Sequence, residues 1–362
     1  MKRKTIYFTA PRQVELREES LPPLGADEVL VENFCSAISA GTEMLVYRGQ
    51  FPNQADAHDK FSSDLNYPLA YGYACVGIVR ETGKDVDKTW RDKLIFGFQP
   101  HTTHFVTTIS NLISVPEAIP LPAEACCFLP NMETAVNLIQ DAAPILGERV
   151  LVLGQGVVGL LVASLLKEFP LELLVTSDNY ALRKKASLDI GVNDCFDPEN
   201  TTPPSNLEVE SSSQTHATHH VAYTQNTDEP KHTSAYAKIF DLTFELSGSP
   251  SAVNTAITMT TFNGRIVIGS WYGEKQAPID LGGTFHRSRI KLISSQVSTI
   301  APELSGRWDK ARRFKIAWEA LKRIQPQKWI THRFSIEEAA LAYELLDKNP
   351  QETIQVVFEY TL

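Results

Sequence analysis

Two periodicities divide the chain. The first 125 residues alternate short runs of β-branched and aromatic residues with Pro, Gly and Asp, which is typical of short strands joined by turns. Helical periodicity is scarce there, so we expect a small β-rich barrel or partly open sandwich. The predicted strands cover residues 5–8, 14–17, 28–34, 74–80, 93–96, 104–107 and 112–115.

From about residue 131, short apolar runs alternate with helical patterns. This alternation predicts a doubly wound parallel sheet with helices on both faces. A helix over 251–260 separates the last two predicted strands, and Gly191 is the expected stop of an earlier helix. The strands predicted in this part cover residues 150–153, 171–176, 239–246 and 265–268.

The pattern divides the chain into a β-rich part over 1–130, a dinucleotide-binding fold over 131–272, and a return over 273–362 to the sheet edge and the first part. One segment, 198–236, is rich in polar residues and has few large apolar ones, so we expect a mobile surface insertion. A solvated loop is favoured over a metal site for its histidines, because no cysteine or carboxylate completes a tetrahedral set. These are His216, His219, His220 and His232.

A glycine motif follows the first strand of the alternating part. Gly154, Gly156 and Gly159 form G-x-G-x-x-G directly after the apolar run 150–153. In the dinucleotide fold, the first glycine permits a tight turn, the second lets the backbone approach a pyrophosphate, and the third allows close helix–strand packing. The backbone amides of Val157 and Val158 then open a helix whose positive end faces the phosphates. A glycine turn without a ligand is the alternative.

An acidic residue stands where this fold holds the cofactor ribose. Asp178 ends the second strand, where its carboxylate can accept bonds from the ribose hydroxyls of NAD and would repel the 2′-phosphate of NADP. Arg183 could lie along the adenosine or bridge to a 2′-phosphate, which keeps NADP as an alternative. Ser247, Gly269 and Ser270 follow later strands and are predicted to line the nicotinamide half of the cleft, although ordinary turns would also use such residues.

Composition narrows the choice of function classes. The chain has 362 residues, 43% of them hydrophobic and 21% charged, which excludes wholesale disorder. Its formal net charge of −9 makes nucleic acid an unfavourable partner. The sequence shows no membrane span and no secretory signal, and its five cysteines form no paired framework. We therefore expect a cytoplasmic protein that acts on a small molecule.

Together these motifs resemble the medium-chain dehydrogenase/reductase family, over nearly the whole chain except 198–236. The resemblance implies a GroES-like β-rich domain with an inserted Rossmann domain, and NAD(H) as cofactor. Within the family, residues 39–43 and 46–49 are most similar to the bacteriochlorophyllide dehydrogenase branch, whose members oxidise a hydroxyethyl group on a chlorin ring. Further supporting segments are DEVLVE (27–32), YPLAYG (67–72), GRIVIG (264–269) and ITHRF (330–334).

The zinc-dependent members of that family have metal ligands that this chain lacks. On the resemblance, Ala40 stands at the place of a cysteine ligand and Tyr73 at the place of a histidine ligand. The third ligand falls near Pro130, which cannot coordinate a metal, and Glu133 is out of register. The family's four-cysteine lobe is missing as well. We therefore predict neither a catalytic nor a structural zinc.

Without zinc, another group must polarise the reacting oxygen. Tyr73 and Thr42 are hydroxyl donors that the resemblance places at the former metal cavity, and Tyr73 is the first choice. For Tyr73, a buried aromatic that only fills the vacated space is an equal alternative. Glu43 is expected to be a polar brace near the nicotinamide rather than a base. His101 and His104 are expected to be structural groups, since a lone histidine more often has that role. The alternative is that one of them reaches the cleft.

The sequence thus predicts a zinc-independent, NAD(H)-dependent oxidoreductase that transfers hydride between nicotinamide and an alcohol or carbonyl carbon. A hydroxyethyl-bearing tetrapyrrole is one candidate substrate. The alternatives are an NADPH-dependent quinone or enone reductase and a non-catalytic dinucleotide-binding protein. The basic residues over 307–315 are interpreted as a solvated helix face. The alternative is that some of them bind carboxylates of the substrate. An exposed strand near 289–294 could pair across a two-fold axis and make a homodimer.

Overall fold

Within residues 1–51, 65–199 and 238–360, which the computed structural model describes, the strands form three sheets. The predicted insertion over 198–236 lies outside the described residues from position 200 onward, and its four histidines are among those outside. The strands are β1 (Lys2–Ala10), β2 (Gln13–Ser20), β3 (Glu28–Ala37), β4 (Leu69–Ala70), β5 (Cys75–Thr82), β6 (Leu94–Gly97), β7 (His104–Thr108), β8 (Leu112–Ser114), β9 (Arg149–Leu153), β10 (Leu173–Ser177), β11 (Asp194–Phe196), β12 (Phe240–Glu245), β13 (Thr260–Ile268), β14 (Lys291–Ser294), β15 (Ile330–Ser335) and β16 (Gln355–Glu359).

One sheet is parallel throughout and has the order β11-β10-β9-β12-β13-β14. Its strands are apolar and buried, as expected for a sheet covered on both faces. The strand order reverses between β9 and β12. From β9 the chain adds strands toward one edge of the sheet, and from β12 it adds strands toward the other edge. Ligands of doubly wound sheets bind in the crevice at this switch point, outside the carboxyl ends of the strands.

The β-rich sheets contain the amino-terminal strands and the end of the chain. The larger one has the order β15-β16-β3-β5-β6-β8, and β7 also pairs with β3. The smaller one has the order β2-β1-β4. β16 lies antiparallel to β3, so the chain's tail returns to the sheet in which its first part began.

The helices cover the parallel sheet and link it to the β-rich sheets. No helix in the described ranges is long and apolar enough to cross a membrane. The helices are α1 (Ala40–Arg48), α2 (Ala123–Cys126), α3 (Leu129–Ala142), α4 (Val157–Leu166), α5 (Ala181–Ile190), α6 (Ala252–Met259), α7 (Lys310–Ile324) and α8 (Ala339–Lys348).

Helix α1 corrects the expectation that the first 125 residues contain only strands. Its residues Glu43, Met44, Leu45, Val46 and Tyr47 are all buried. Because every face of this stretch is covered, its sequence does not show the one-sided apolar stripe that marks a surface helix. Gly49 adopts the left-handed conformation with a φ of 68° and ends the helix.

A single hydrophobic cluster joins the parallel sheet to the larger β-rich sheet. It includes Cys35 and Phe96 from the β-rich sheet, Met132 from α3, and Val152 and Leu160 from the dinucleotide fold. Helix α3 therefore lies at the centre of the molecule and packs on both sides. The relative position of the two sheets is fixed by this shared apolar core.

Arg313 of α7 lies fully buried against α3, so the prediction of a solvated basic face is wrong for this residue. Its Nε and Nη2 donate to Glu133 Oε1 at 3.1 and 2.9 Å. Another donor bonds Asn137, one turn further along α3, and the Thr299 carbonyl accepts at 3.1 Å. The guanidinium is buried because its charge and its donors are matched by α3 and the 297–299 loop.

We predict that Arg313→Met lowers the free energy of unfolding by about 3–5 kcal/mol, because it leaves the Glu133 carboxylate buried without its main partner. The measurement is denaturant unfolding. Arg323→Met, which removes a half-exposed pair with Glu168, is the control and should cost about 1 kcal/mol or less. Equal effects of the two substitutions would contradict the prediction.

Candidate active site

In the glycine turn after β9, other atoms pack closely against the first and third glycines, whereas the second glycine has free space beside it. Gly154 has a φ of 91°, and a Cβ there would lie 2.6 Å from the backbone of Leu246. A Cβ on Gly159 would lie 1.9 Å from the Gly154 carbonyl oxygen. A Cβ on Gly156 would have nothing within 4 Å. The turn therefore has space at the position where a backbone approach to a pyrophosphate is needed.

The first turn of α4 presents unused amides beside this space. The first intrahelical bond runs from Leu160 N to the Gly156 carbonyl oxygen at 2.9 Å. The N–H groups of Val157, Val158 and Gly159 precede that bond and have no acceptor within the helix. Gly156 is the N-cap and carries no side chain that could satisfy them. This arrangement fits the phosphates of a dinucleotide.

Asp178 lies at the end of β10 and ties the glycine turn to the next helix. Its Oδ2 accepts from Gln155 N at 2.7 Å, and its Oδ1 accepts from Tyr180 N at 2.9 Å. The side chain is nearly buried. A carboxylate has about four acceptor positions, so two remain for other donors. The structure thus brings Asp178 directly to the predicted pyrophosphate turn.

Arg183 is held by the carboxy-terminal part of the chain. Its Nε and Nη2 donate to the carbonyl oxygens of Thr353 and Pro350, both at 3.1 Å. The guanidinium also stacks over Tyr180 at 4.8 Å from the ring centroid. The Arg183 guanidinium, which was predicted to lie along the adenosine, is therefore already engaged in part by these contacts. They connect α5 to the turn before β16.

The buried carboxylate of Glu245 organises the ends of β12 and β13. Glu245 accepts from the Ser247 amide at 2.8 Å, from the Ser247 hydroxyl, and from Tyr272. Ser270 Oγ accepts from Gly248 N at 2.9 Å. A Cβ on Gly269 would meet Leu138 and Leu246 at 2.6 Å. Ser247, Gly269 and Ser270 thus lie together at the carboxyl ends of these strands.

Three hydroxyl groups meet at the start of α1. Tyr73 OH donates to Ser39 Oγ. Burial raises the pKa of Tyr73 to about 12, with a smaller upward effect of the Glu43 charge, whereas side-chain hydrogen bonding with Ser39 and Thr42 lowers it. All three residues are only partly buried. At neutral pH, Tyr73 is therefore a protonated donor.

Glu43 is fully buried behind these hydroxyls. Its Oε1 accepts from Ser39 N at 2.7 Å. Its Oε2 accepts from Tyr343 OH at 2.6 Å and from His101 Nε2 at 2.9 Å. Burial raises the pKa of Tyr343 well above its usual value, so this phenol remains a donor. Glu43 therefore binds the backbone amide of Ser39 through one carboxylate oxygen. Its other oxygen is held by Tyr343 and His101.

The hydrogen bonds around His101 assign its ring hydrogens. His101 Nδ1 lies 2.6 Å from Ser36 Oγ, which lies 2.6 Å from Tyr360 OH. Because Nε2 donates to Glu43, a neutral ring leaves Nδ1 as an acceptor for the Ser36 hydrogen, and Tyr360 donates to Ser36. Every hydrogen in this chain then has an acceptor. His101 is fully buried, so it is a structural group, and His104 lies 3.7 Å from Glu32 outside this network.

The residues at the positions of the family's zinc ligands do not fit zinc. Ala40 has no donor atom, and the Tyr73 hydroxyl is bonded to Ser39. Glu133, the nearest carboxylate to the third position, accepts from Arg313 and from Lys310 Nζ at 2.8 Å. Among the residues that the structure describes, no group of three His, Cys, Asp or Glu side chains could hold a metal ion.

Comparison with known proteins supports the same architecture. The crystal structure of RspB from Escherichia coli CFT073 in complex with NADH superimposes with a TM-score of 0.70 at 18% identity, over 99% of both chains. The fold class is confirmed. The chain consists of a GroES-like β-rich unit with an inserted Rossmann unit, as predicted.

Sequence comparison finds distant relatives, and several of them are named as dehydrogenases. No family model matches the chain. L-idonate 5-dehydrogenase (NAD(P)(+)) of E. coli K-12 is 23% identical over 257 residues, which are 68% of this chain but only 62% of that protein. D-guloside 3-dehydrogenase of Shigella flexneri is 21% identical and matches 98% of this chain and 99% of its own length. The resemblance to medium-chain dehydrogenases thus gains support, while the bacteriochlorophyllide branch stays a prediction.

Several residues of the site were missed by sequence reasoning. Ser39 was part of a quoted motif but received no role, because α1 was not predicted and its N-cap was therefore not visible. Tyr343 carries no local signal, since its importance comes from a partner that is distant in sequence.

We predict opposite effects for alanine at two glycines of the turn. Gly156→Ala should change the free energy of unfolding by less than about 1 kcal/mol, because the added methyl enters open space. The same methyl should weaken NADH binding by about tenfold or more, since it occupies the approach of the pyrophosphate. Gly159→Ala should lower the free energy of unfolding by about 1–3 kcal/mol through overpacking.

Calorimetric titration with NADH and denaturant unfolding of both variants check this pair. Unchanged NADH affinity in Gly156→Ala would contradict the assignment of the pyrophosphate position. Wild-type stability in Gly159→Ala would contradict the close packing of the turn.

Proposed function

We propose that this chain is an NAD(H)-dependent oxidoreductase that acts on a CH–OH group or the corresponding carbonyl, and that it does so without zinc. The open space at Gly156, beside free helix amides and Asp178, is the observation that carries the proposal. When bound, the nicotinamide cofactor supplies or accepts the hydride. The protein supplies the binding site, the orientation of the substrate and a proton donor.

NAD(H) is the proposed cofactor, with NADP(H) as the alternative. Asp178 is an acceptor and carries a negative charge, which suits ribose hydroxyls and repels a 2′-phosphate. Arg183, the nearest candidate for a 2′-phosphate partner, already donates to two backbone carbonyls. The alternative is kept because the L-idonate relative is named for both cofactors.

Tyr73 is the proposed group that polarises the substrate oxygen in place of a metal. Its raised pKa keeps the hydroxyl protonated at neutral pH, so it can supply a proton toward a carbonyl oxygen, directly or through a neighbouring hydroxyl, and stabilise the charge that develops there. Thr42 is proposed to help hold the same oxygen. Glu43, which is buried and fully engaged, is proposed as a brace rather than a base.

The proposed substrate class is a polyol or a sugar-derived hydroxy compound. The proposal rests on the names of the relatives, which are dehydrogenases of L-idonate and of D-gulosides. A hydroxyethyl chlorin, which the bacteriochlorophyllide resemblance suggests, is tested in the same screen. Turnover of quinones with NADPH would instead favour the reductase alternative.

We further propose a homodimer formed along β14. This strand is the edge of the parallel sheet, so one side of its backbone has no neighbouring strand in the described residues. Its Leu292 is 39% exposed, although it lies in register with buried Ile266 of β13. A two-fold pairing of edges would cover both the backbone and this side chain.

For the activity, we expect NADH- or NAD-linked turnover of at least one hydroxy compound, followed by the absorbance of reduced nicotinamide. Tyr73→Phe should lower kcat by about a hundredfold or more, because it removes the proton donor. Tyr71→Phe, at a neighbouring tyrosine, is the control and should stay within about threefold. Chelation with EDTA should leave the wild-type rate unchanged.

Two results would overturn parts of this proposal. Stoichiometric zinc together with EDTA-sensitive turnover would refute zinc independence. No binding of NADH or NADPH at millimolar concentration would refute the oxidoreductase itself. Binding without turnover of any substrate would favour the non-catalytic alternative.

For assembly, we expect light scattering to show a dimer that Leu292→Lys converts to a monomer, since two added charges would face each other across the axis. Leu341→Lys, on an exposed face of α8, is the control and should remain dimeric. A monomeric wild type at tens of micromolar protein would contradict the proposed dimer.

A further inference from the structure

Ser39 occupies a helix N-cap and does not serve as a cap. It directly precedes α1, where a serine hydroxyl usually accepts a bond from the amide two or three residues later. No such side-chain bond is present. The amides of Thr42 and Glu43 donate instead to the Ser39 carbonyl oxygen at 3.0 and 2.8 Å. These backbone bonds begin the helix, and the Ser39 hydroxyl accepts from none of its amides.

The Ser39 hydroxyl is directed to Tyr73. Tyr73 OH donates to Ser39 Oγ, so the serine keeps its own hydrogen for donation. In the part of the chain that the structure describes, no recorded hydrogen bond takes up that hydrogen. Ser39 is partly exposed, as Tyr73 and Thr42 are. The Ser39 hydroxyl thus accepts from Tyr73 and has a hydrogen that it can donate. Such a hydroxyl is suited to bind the oxygen atom of a ligand.

We propose that Ser39 is a second catalytic hydroxyl, which contacts the substrate oxygen and passes to it the proton that Tyr73 supplies. This inference rests on the proposed oxidoreductase function. It assigns Tyr73 to the inner position of the pair and Ser39 to the outer one. Ser39 has no role in the reaction under the zinc-family resemblance, which points only to Ala40, Thr42 and Tyr73.

The proton movements balance in the direction of carbonyl reduction. The carbonyl carbon gains a hydride, whose two electrons come from the reduced nicotinamide of the proposed cofactor. The substrate oxygen then forms a bond to the Ser39 hydrogen, and the Ser39 O–H bond breaks. The Tyr73 hydrogen moves to Ser39 Oγ, which leaves a phenolate, and water restores its proton. Alcohol oxidation follows the same steps in reverse.

Glu43 acts in this scheme as a positioning residue. Its Oε1 holds Ser39 by the backbone amide at 2.7 Å, which leaves the side chain free to turn toward Tyr73. Its Oε2 is fixed by Tyr343 and His101. The position of the outer hydroxyl therefore depends on a buried network that the substrate does not touch.

The test uses Ser39→Ala, Ser39→Thr, Tyr73→Phe and the double variant, with the best substrate from the activity screen. We expect Ser39→Ala to lower kcat by about tenfold or more with KM within about threefold. Its thermal midpoint should fall by no more than about 2–4 °C, since no cap bond is lost and only the hydrogen bond from Tyr73 is removed. Ser39→Thr should recover most of kcat. The double variant should be no slower than Tyr73→Phe, because the two hydroxyls act in series.

Ser335 provides the matched control. It heads a short helical turn with a complete capping box to Glu338. Ser335→Ala should lower the thermal midpoint and leave kcat unchanged, the opposite of the result expected for Ser39→Ala.

The outcomes separate this inference from the proposed function. If the wild type turns over and Tyr73→Phe is inactive, while Ser39→Ala keeps kcat within twofold, only the role of Ser39 is overturned. Multiplying effects in the double variant would also overturn it, since they show independent groups. A wild type without nicotinamide-linked turnover on any substrate would overturn both proposals together.

Discussion

The buried carboxylate of Glu43 is the interaction on which the β-rich half of the site depends. A charge without water is costly unless several donors surround it, and here three donors come from separate parts of the chain. Counted along the sequence from Glu43, Ser39 is four residues away, His101 is fifty-eight residues away and Tyr343 is three hundred residues away. The requirement to satisfy one carboxylate thus holds α1, the loop before β7 and α8 in one arrangement.

The cofactor half of the site is built by a different constraint, the close packing of the glycine turn, and the two halves meet through a short loop. After β13 the chain crosses to the end of α1, where Glu274 N donates to the Gln50 carbonyl oxygen at 3.2 Å. A Cβ on Gly273 would lie 2.2 Å from that same oxygen. Together with the shared core around α3, this contact sets the distance between the nucleotide crevice and the hydroxyl groups.

Local patterns were sufficient to predict the alternating strand–helix part and the dinucleotide turn, whereas the GroES-like assignment came from the family resemblance. Strand alternation, the run before Gly154 and the helix stop at Gly191 are properties of neighbouring residues, and the structure has all of them. The polar network was not predictable in the same way, because Glu43 and Tyr343 meet only after the chain has folded. Helix α1 was missed because its residues 43–47 are all buried and show no one-sided apolar stripe, and the position of Ser39 at the N-cap was hidden with it.

The position of Glu43 also bears on how the proposed hydroxyl donor would act without a cation. A cation would lower the pKa of any group bonded to it, whereas burial and, to a smaller extent, the Glu43 charge raise the pKa of Tyr73. Tyr73 is therefore a neutral hydrogen-bond donor at neutral pH. A donor that is already held in place loses little energy to reorganisation when charge develops on a nearby oxygen. Burial contributes the larger part of the shift and the Glu43 charge the smaller part, so the protonated state of Tyr73 depends first on the packing around its ring and then on the buried carboxylate.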